Sequence, residues 1–520
     1  MKKKYLIVIA VLIFVISIAV RFWPILYKGY SFGFSFDNLI LARNLNLTGE
    51  YSVDNEKNII LSSELINEQG IESNFGNKLT PVLYSKIFNI FSFNENIPLY
   101  VSLLLYGIIS VLLFLLVFKL FNIQIALLFS FFEIFSPLVL QYSMRTGLYE
   151  WAMLFLTIAL LIYLWKEKPN WIRLIFSSLF FALAFLARNS FLIIPIVFLI
   201  YDFWKSKSIK RIIIFILPLL IVYSIFFGLS GVNNSYLSSE DTTDVYLHIF
   251  SDSYTFHYER DDYVEKIVDS EDYNYDYSQF LEKYGYSISL KNKISMYWAS
   301  ITSYPKGFVA QTTFGGSILI FFLILGGFYL YKNKRKLLEF FILWAGFLYI
   351  FLIVAKSNHW GHFLSLQLPI FILISLGVHC IFEWILKQNW KKFFKYLFII
   401  GFMLSIFVHL IQSDKWMLHE EYLYSKIDQS MKMVSIIKES DLNKKIDIVA
   451  VGGENGQTAM IINYYTDIST IYFHPQTIEK LLKENKLQWA FDEFGVTKII
   501  GYNKELNDQM IDLIDIDILK

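Results

Sequence analysis

Apolar residues along this chain gather in long runs, at residues 5–23, 99–118, 123–141, 148–165, 172–187, 190–204, 212–230, 315–331, 337–355, 362–386 and 396–412. A helix needs roughly 17 to 25 such residues to cross a ~30 Å hydrocarbon core, and in lipid only a helix or a closed barrel satisfies its own backbone. The pattern predicts an α-helical polytopic membrane protein with about eleven transmembrane helices, two of the runs being short enough to tilt or merge. Between the runs the polar positions alternate in kind. One set of loops holds Lys2, Lys3 and Lys4, Lys119, Lys166, Lys168 and Arg173, Lys205, Lys207, Lys210 and Arg211, Lys332, Lys334, Arg335 and Lys336, and Lys387, Lys391, Lys392 and Lys395. Clustered Lys and Arg resist translocation, so these loops are expected in the cytoplasm. The opposite set has only scattered basic residues, and an odd number of spans with the N-terminus inside puts the C-terminus outside.

Three outside segments are long enough for chemistry: 24–97, 231–314 and 413–520. In the last of these, Ile446–Val451, Thr470–Phe473 and Thr497–Tyr502 read as strands and Thr477–Glu484 as a helix. The expected organisation is a transmembrane domain over 1–412, carrying outside loops 24–97 and 231–314, and a small extracytoplasmic α/β C-terminal domain over 413–520. The charged start, Met1 to Lys4, leads into an apolar run that outlasts a typical secretory h-region, which reads as an uncleaved signal anchor.

Composition agrees with the pattern. Hydrophobic residues make up 55% of the chain, above the share of an ordinary soluble protein. A formal net charge of +1 gives no global basic excess of the kind that marks a nucleic-acid binder. The single cysteine, Cys380, lies in an apolar run, has no disulfide partner in the chain and is expected to be a small buried residue.

Candidate chemistry concentrates in the first outside loop. Phe36-Asp37-Asn38 lies a short way beyond the first run and is followed by Ala42-Arg43-Asn44-Leu45, Thr48-Gly49-Glu50-Tyr51 and, later, Lys78. Transfer of a sugar from a lipid phosphate needs a carboxylate to take the acceptor proton and cations to stabilise charge on the departing phosphate. Asp37 with Arg43 and Lys78 supplies both kinds of group. A helix cap at Asp37 and an interfacial role for Arg43 fit the same spacing. Glu133 and Glu150 lie in or at the ends of apolar runs, where a carboxylate faces a cavity or a partner, and Arg145 is a partner within reach of Glu150. His359-Trp360-Gly361-His362 puts two histidines three apart, a spacing that suits metal or phosphate as well as an interfacial aromatic belt. The Tyr-rich acidic loop over 231–314 suits sugar stacking or a lid packed on lipid. Gly452 to Gly456 lacks the register of a nucleotide-binding loop.

The segment Asp37 to Tyr51 resembles the first-loop motif of the GT-C superfamily, in particular relatives of protein O-mannosyltransferases and of the lipid A aminoarabinose transferase. Lys78 to Tyr84 is similar to the Lys-Pro-Pro-Leu-Tyr stretch before that family's second span, Ser136-Pro137 with Glu150 resembles the next short-span pair, and Leu186-Ala187-Arg188-Asn189 resembles a Thr-Arg-Pro turn. The resemblance implies a glycosyltransferase that takes a sugar from a polyprenyl-phosphate donor to a lipid, glycan or protein acceptor at the outer face of the plasma membrane. It implies Asp37 as general base and Arg43 and Lys78 near the phosphate. Two departures stand out. Asp37-Asn38 replaces the Asp-Glu of many relatives, and His362-Phe363-Leu364-Ser365 replaces an Arg-Tyr-Leu-Leu-Pro pattern. Glu72 or Glu68 is a candidate for the second acid, and Arg188, Lys356 or His362 for the missing cation. No residue pattern calls for a cofactor, and a divalent metal stays open. The alternative function is a transporter or flippase of lipid-linked glycans, which also needs many spans and intramembrane charge.

Overall fold

The computed structural model describes residues 3–28, 36–47, 79–143, 149–165, 170–229, 317–354, 364–388, 390–418 and 421–443, then 447–452, 457–466, 468–472, 487–493, 495–501 and 517–519, with positions 49, 146–147, 478, 481–482 and 485. Helices in chain order are α1 (Lys3–Lys28), α2 (Phe36–Leu47), α3 (Leu79–Phe91), α4 (Ile97–Leu120), α5 (Ile123–Ile134), α6 (Pro137–Ser143), α7 (Glu150–Leu164), α8 (Trp171–Ala187), α9 (Ile193–Ser206) and α10 (Ile209–Leu229). They continue with α11 (Ser317–Asn333), α12 (Arg335–Val354), α13 (Gln367–Lys387), α14 (Lys392–Leu418), α15 (Glu421–Glu439), α16 (Gln457–Thr466) and α17 (Leu487–Glu493). Each apolar run falls on one or more of these helices. Among the described residues, three segments are long and apolar enough to cross a membrane by themselves: Lys4–Trp23, Ile97–Leu120 and Leu364–Lys387. The first leaves Ile7, Val8, Val11 and Val15 more than half exposed, a surface suited to lipid, whereas Leu364–Lys387 is largely enclosed by its neighbours.

Two runs read as continuous are broken. Residues 123–141 divide into α5 and α6 at Phe135-Ser136, because Pro137 has no N–H to continue the α5 ladder and instead opens the next helix. The 190–204 run begins as a short 3-10 turn, Asn189–Leu192, before α9. Close approach of α11 to α13 depends on two glycines: a Cβ on Gly326 would lie 1.8 Å from the Leu373 carbonyl oxygen, and one on Gly377 would lie 2.0 Å from that of Phe322. Small residues at such a crossing let helix backbones touch where lipid offers no hydrophobic drive. Cys380 is half-buried, more exposed than expected.

The bundle also encloses charge. Arg21 and Glu133 are both fully buried and pair at 2.9 Å, joining α1 to α5. Arg21 also donates to the Ser143 hydroxyl at 3.1 Å and to the Ser17 carbonyl at 3.2 Å, and lies 5.4 Å from the centre of the Tyr106 ring. The sequence marks Glu133 as a carboxylate in an apolar run and names no partner for it. Desolvation forbids either charge alone at that depth, so the two find each other.

The C-terminal region is α/β. Strands β1 (Ile448–Val451), β2 (Ser469–Tyr472), β3 (Lys498–Ile500) and β4 (Asp517–Ile518) form a wholly parallel sheet in the order β2-β1-β3-β4. Helix α16 makes the crossover from β1 to β2 that a parallel pair requires. The three expected strands occur within two residues of their predicted bounds. β4, α15, α16 and α17 were missed, and most of the helix expected at Thr477–Glu484 lies outside the described residues. The boundary expected at 412/413 falls within α14.

This unit does not have its core to itself. Leu39, Ile40, Leu41 and Ala42 of α2, with Tyr84 and Phe88 of α3, pack in one apolar cluster with Val434 and Ile437 of α15, Val449 and Val451 of β1, and Ile462 and Tyr464 of α16. Helix α2 is consequently buried on all sides from Asn38 to Asn44, which is why its sequence shows no amphipathic period.

Candidate active site

The site is built where α2, the start of α3, the turn before α7 and the turn after α8 converge. Asp37 is the second residue of α2, beyond the first span as the sequence implied. Its neighbour Asn38 is 1% exposed and donates from Nδ2 to the Gly147 carbonyl at 2.9 Å. Gly147 has φ +78°, a left-handed backbone that glycine adopts without a Cβ clash, and its N–H donates to Glu150 Oε1 at 2.6 Å. Glu150 is fully buried at the start of α7; the Tyr84 hydroxyl donates to its Oε1, and the Tyr149 N–H to its Oε2 at 3.1 Å. Burial and the adjacent Glu150 carboxylate hold the Tyr84 phenol well above its ordinary range, so Tyr84 serves as a donor.

On the other side, Arg188 ends α8 in an extended conformation, the turn that the Leu186 to Asn189 pattern implied. Its guanidinium lies 4.9 Å from the centre of the Tyr149 ring and reaches that tyrosine's hydroxyl at 3.5 Å. Thr80, two residues beyond Lys78, donates to the Ala187 carbonyl at 3.0 Å. The start of α3 and the Arg188 turn are thereby tied together.

Arg43 is buried elsewhere. It is 1% exposed and donates to the Asn463 carbonyl at 2.9 Å, the Tyr464 carbonyl at 3.4 Å and Asn463 Oδ1 at 3.0 Å, all at the end of α16. The last four carbonyls of a helix lack intrahelical partners and carry the negative end of its dipole, so a guanidinium is well received there. Nearby, the Tyr464 hydroxyl donates to the Glu95 carbonyl at 3.3 Å, and burial pushes that phenol well up. The structure thus links Asn38, Glu150 and Tyr84 through Gly147 at the N-terminal end of α2, sets Arg188 against Tyr149, and directs the Arg43 contacts to the C-terminal unit. Lys78, Glu72, Glu68, Arg145, Lys356, His359 and His362 lie outside the described residues. Among the described residues no three His, Cys, Asp or Glu side chains gather as a metal site would require. Sequence reasoning missed Asn38 and Tyr84. The available signals were the departure of Asn38 from an acidic position and the place of Tyr84 at the end of the Lys78 to Tyr84 stretch.

The fold is similar to that of solved oligosaccharyltransferase and ArnT structures. Its likeness runs over nearly the whole chain. The archaeal oligosaccharyltransferase AglB from Archaeoglobus fulgidus, in complex with an inhibitory peptide and a dolichol-phosphate, superposes with a TM-score of 0.57 at 13% identity, over 95% of this chain and 69% of that one. The same oligosaccharyltransferase in its apo form gives a TM-score of 0.58 over the same shares. ArnT from Cupriavidus metallidurans bound to undecaprenyl phosphate gives 0.54 at 10% identity, over 98% of this chain and 89% of that one. No family model matches the sequence, and no curated protein matches it.

Proposed function

We propose that this protein is a glycosyltransferase that moves a sugar from a polyprenyl-phosphate donor to a lipid, glycan or protein acceptor at the outer face of the membrane, with Asp37 as general base. The observation that carries this reading is the place of Asp37. A fold similar to that of the solved oligosaccharyltransferase and ArnT extends over nearly the whole chain, and Asp37 of the first-loop motif is the second residue of α2, whose N-terminal end is anchored through Asn38 to the turn before α7. Both a dolichol-phosphate and undecaprenyl phosphate occur in the similar structures, which favours a polyprenyl-phosphate donor here.

In this reading the acceptor hydroxyl loses its proton to Asp37 as it attacks the anomeric carbon, and the leaving phosphate is met by cations. Arg188, only partly enclosed and oriented by Tyr149, is one of those cations. Lys78, immediately before α3, is another, and His362 and Glu72 keep their proposed places as phosphate contact and second acid. Arg43, whose contacts lie at the end of α16, acts in substrate binding by holding α2 in place.

The test is transfer of labelled sugar from a polyprenyl-phosphate donor in membranes containing wild-type protein or Asp37→Asn at equal folded level. Loss of roughly 10²- to 10⁴-fold in rate is expected on removing the base. Undiminished transfer by the variant would remove Asp37 from the mechanism, and no transfer by the wild type from any such donor would overturn the enzyme reading in favour of a transporter.

A further inference from the structure

The residue after the proposed base is uncharged, enclosed and committed to a main-chain carbonyl. Asn38 reaches across 109 positions of sequence to Gly147, whose own N–H is held by Glu150, which in turn accepts from Tyr84 on α3. These contacts join three separate segments: α2, α3 and the turn before α7. We propose that Asn38 is the positioning residue of the transfer reaction. Its amide, anchored through Gly147 and Glu150, fixes where Asp37 meets the acceptor hydroxyl. This inference rests on the reading of Asp37 as base.

Chemistry explains why the position carries an amide. A carboxylate at 38 is acceptor-only when ionised, so it would face the Gly147 carbonyl with no proton to give. It would also set a second negative charge next to Asp37, raising the base's affinity for protons before any substrate arrives. An asparagine gives the donor without the charge. The Asp37-Asn38 departure from the Asp-Glu pattern is then a consequence of how this chain holds its base. Gly147 belongs to the same device, because its left-handed backbone aims a donor at Glu150 and an acceptor at Asn38 within one residue. A displacement of about 1 Å at a reacting group costs on the order of 10²-fold, so a contact that only orients Asp37 can govern rate.

The experiment measures kcat, donor KM and thermal unfolding for Asn38→Ala, Asn38→Asp, Tyr84→Phe, Asp37→Asn and the Asp37→Asn/Asn38→Ala pair, in full-length protein. Asn38→Ala is expected to lower kcat by roughly 10- to 100-fold with donor KM nearly unchanged, and to add no further loss to Asp37→Asn. Asn38→Asp is expected to match that loss at neutral pH and to recover relative to wild type as the pH falls, because a protonated carboxyl can again donate to Gly147. Asn38→Ala has no such recovery. Tyr84→Phe is expected to reduce kcat less, and to combine with Asn38→Ala less than multiplicatively, as members of one network do. Wild-type kcat in Asn38→Ala beside an inactive Asp37→Asn overturns the positioning role and leaves the base intact. Full activity of Asp37→Asn removes the base, and the positioning role with it. If Asn38→Ala does not fold, the acid recovery of Asn38→Asp and the kcat of Tyr84→Phe decide the matter, and absence of both effects overturns the proposal.

Discussion

Among the described residues two arginines are fully enclosed, and they are neutralised in different ways. Arg21 faces a full carboxylate, Glu133, inside the apolar bundle, with serine hydroxyls round it. Arg43 faces the carbonyl end of a helix, α16, across 420 positions of sequence. A carboxylate supplies a whole charge and can be matched by any cation that reaches it. A helix terminus supplies roughly half a charge, spread over several carbonyl oxygens, and rewards a planar fork of donors. The first pairing therefore decides which membrane helices meet. The second decides how α2, bearing the proposed base, sits against the C-terminal unit.

The comparison breaks most easily at Arg21. Arg21→Met leaves Glu133 buried without its cation and is expected to cost about 3–5 kcal/mol, read as loss of folded protein in detergent. Arg21→Met/Glu133→Leu is expected to recover most of that, since an apolar pair of similar volume avoids desolvation altogether. Arg43→Lys sharpens the contrast. Lysine keeps the charge and loses the fork, so about 1–3 kcal/mol is expected, seen as faster proteolysis of residues 421–520 and lower transfer, with the bundle unchanged. The smallest effect belongs to the rim of the same interface. Tyr464→Phe removes the hydrogen bond to the Glu95 carbonyl, for about 1 kcal/mol in thermal unfolding. The partly exposed Lys438–Glu95 pair beside it contributes at most about 1 kcal/mol, and less at high salt.

What the sequence disclosed follows the reach of each interaction. Run length is local, and every apolar run became helix, because a segment that must satisfy its own backbone carries that requirement in its own residues. The breaks were legible in principle: Pro137 marks one directly. The helix-cap reading put Asp37 at a helix start and the motif put Arg188 at a turn; Asp37 is the second residue of α2 and Arg188 ends α8. The partners did not show. Glu133 was visible as an expensive charge, yet nothing near it in sequence named Arg21, which lies 112 residues away. Arg43 read as a phosphate ligand because it lies six residues from Asp37, while its carbonyl partners lie in a segment the motif does not cover. Asn38 read as a missing acid because only the three-dimensional contact with Gly147 shows what its amide does.

The shared core of α2, α3 and the C-terminal unit sets a timetable for biosynthesis. Residues 36–47 leave the ribosome hundreds of residues before Asn463 and Tyr464 exist to receive Arg43. At about 5–20 residues per second, the interval is on the order of tens of seconds. Throughout it, Leu39 to Ala42 lack the surface they pack on in the finished fold. A nascent or truncated chain can thus form its helical bundle while α2, which bears the proposed base, is still unseated. The last hundred residues complete the core in which α2 sits.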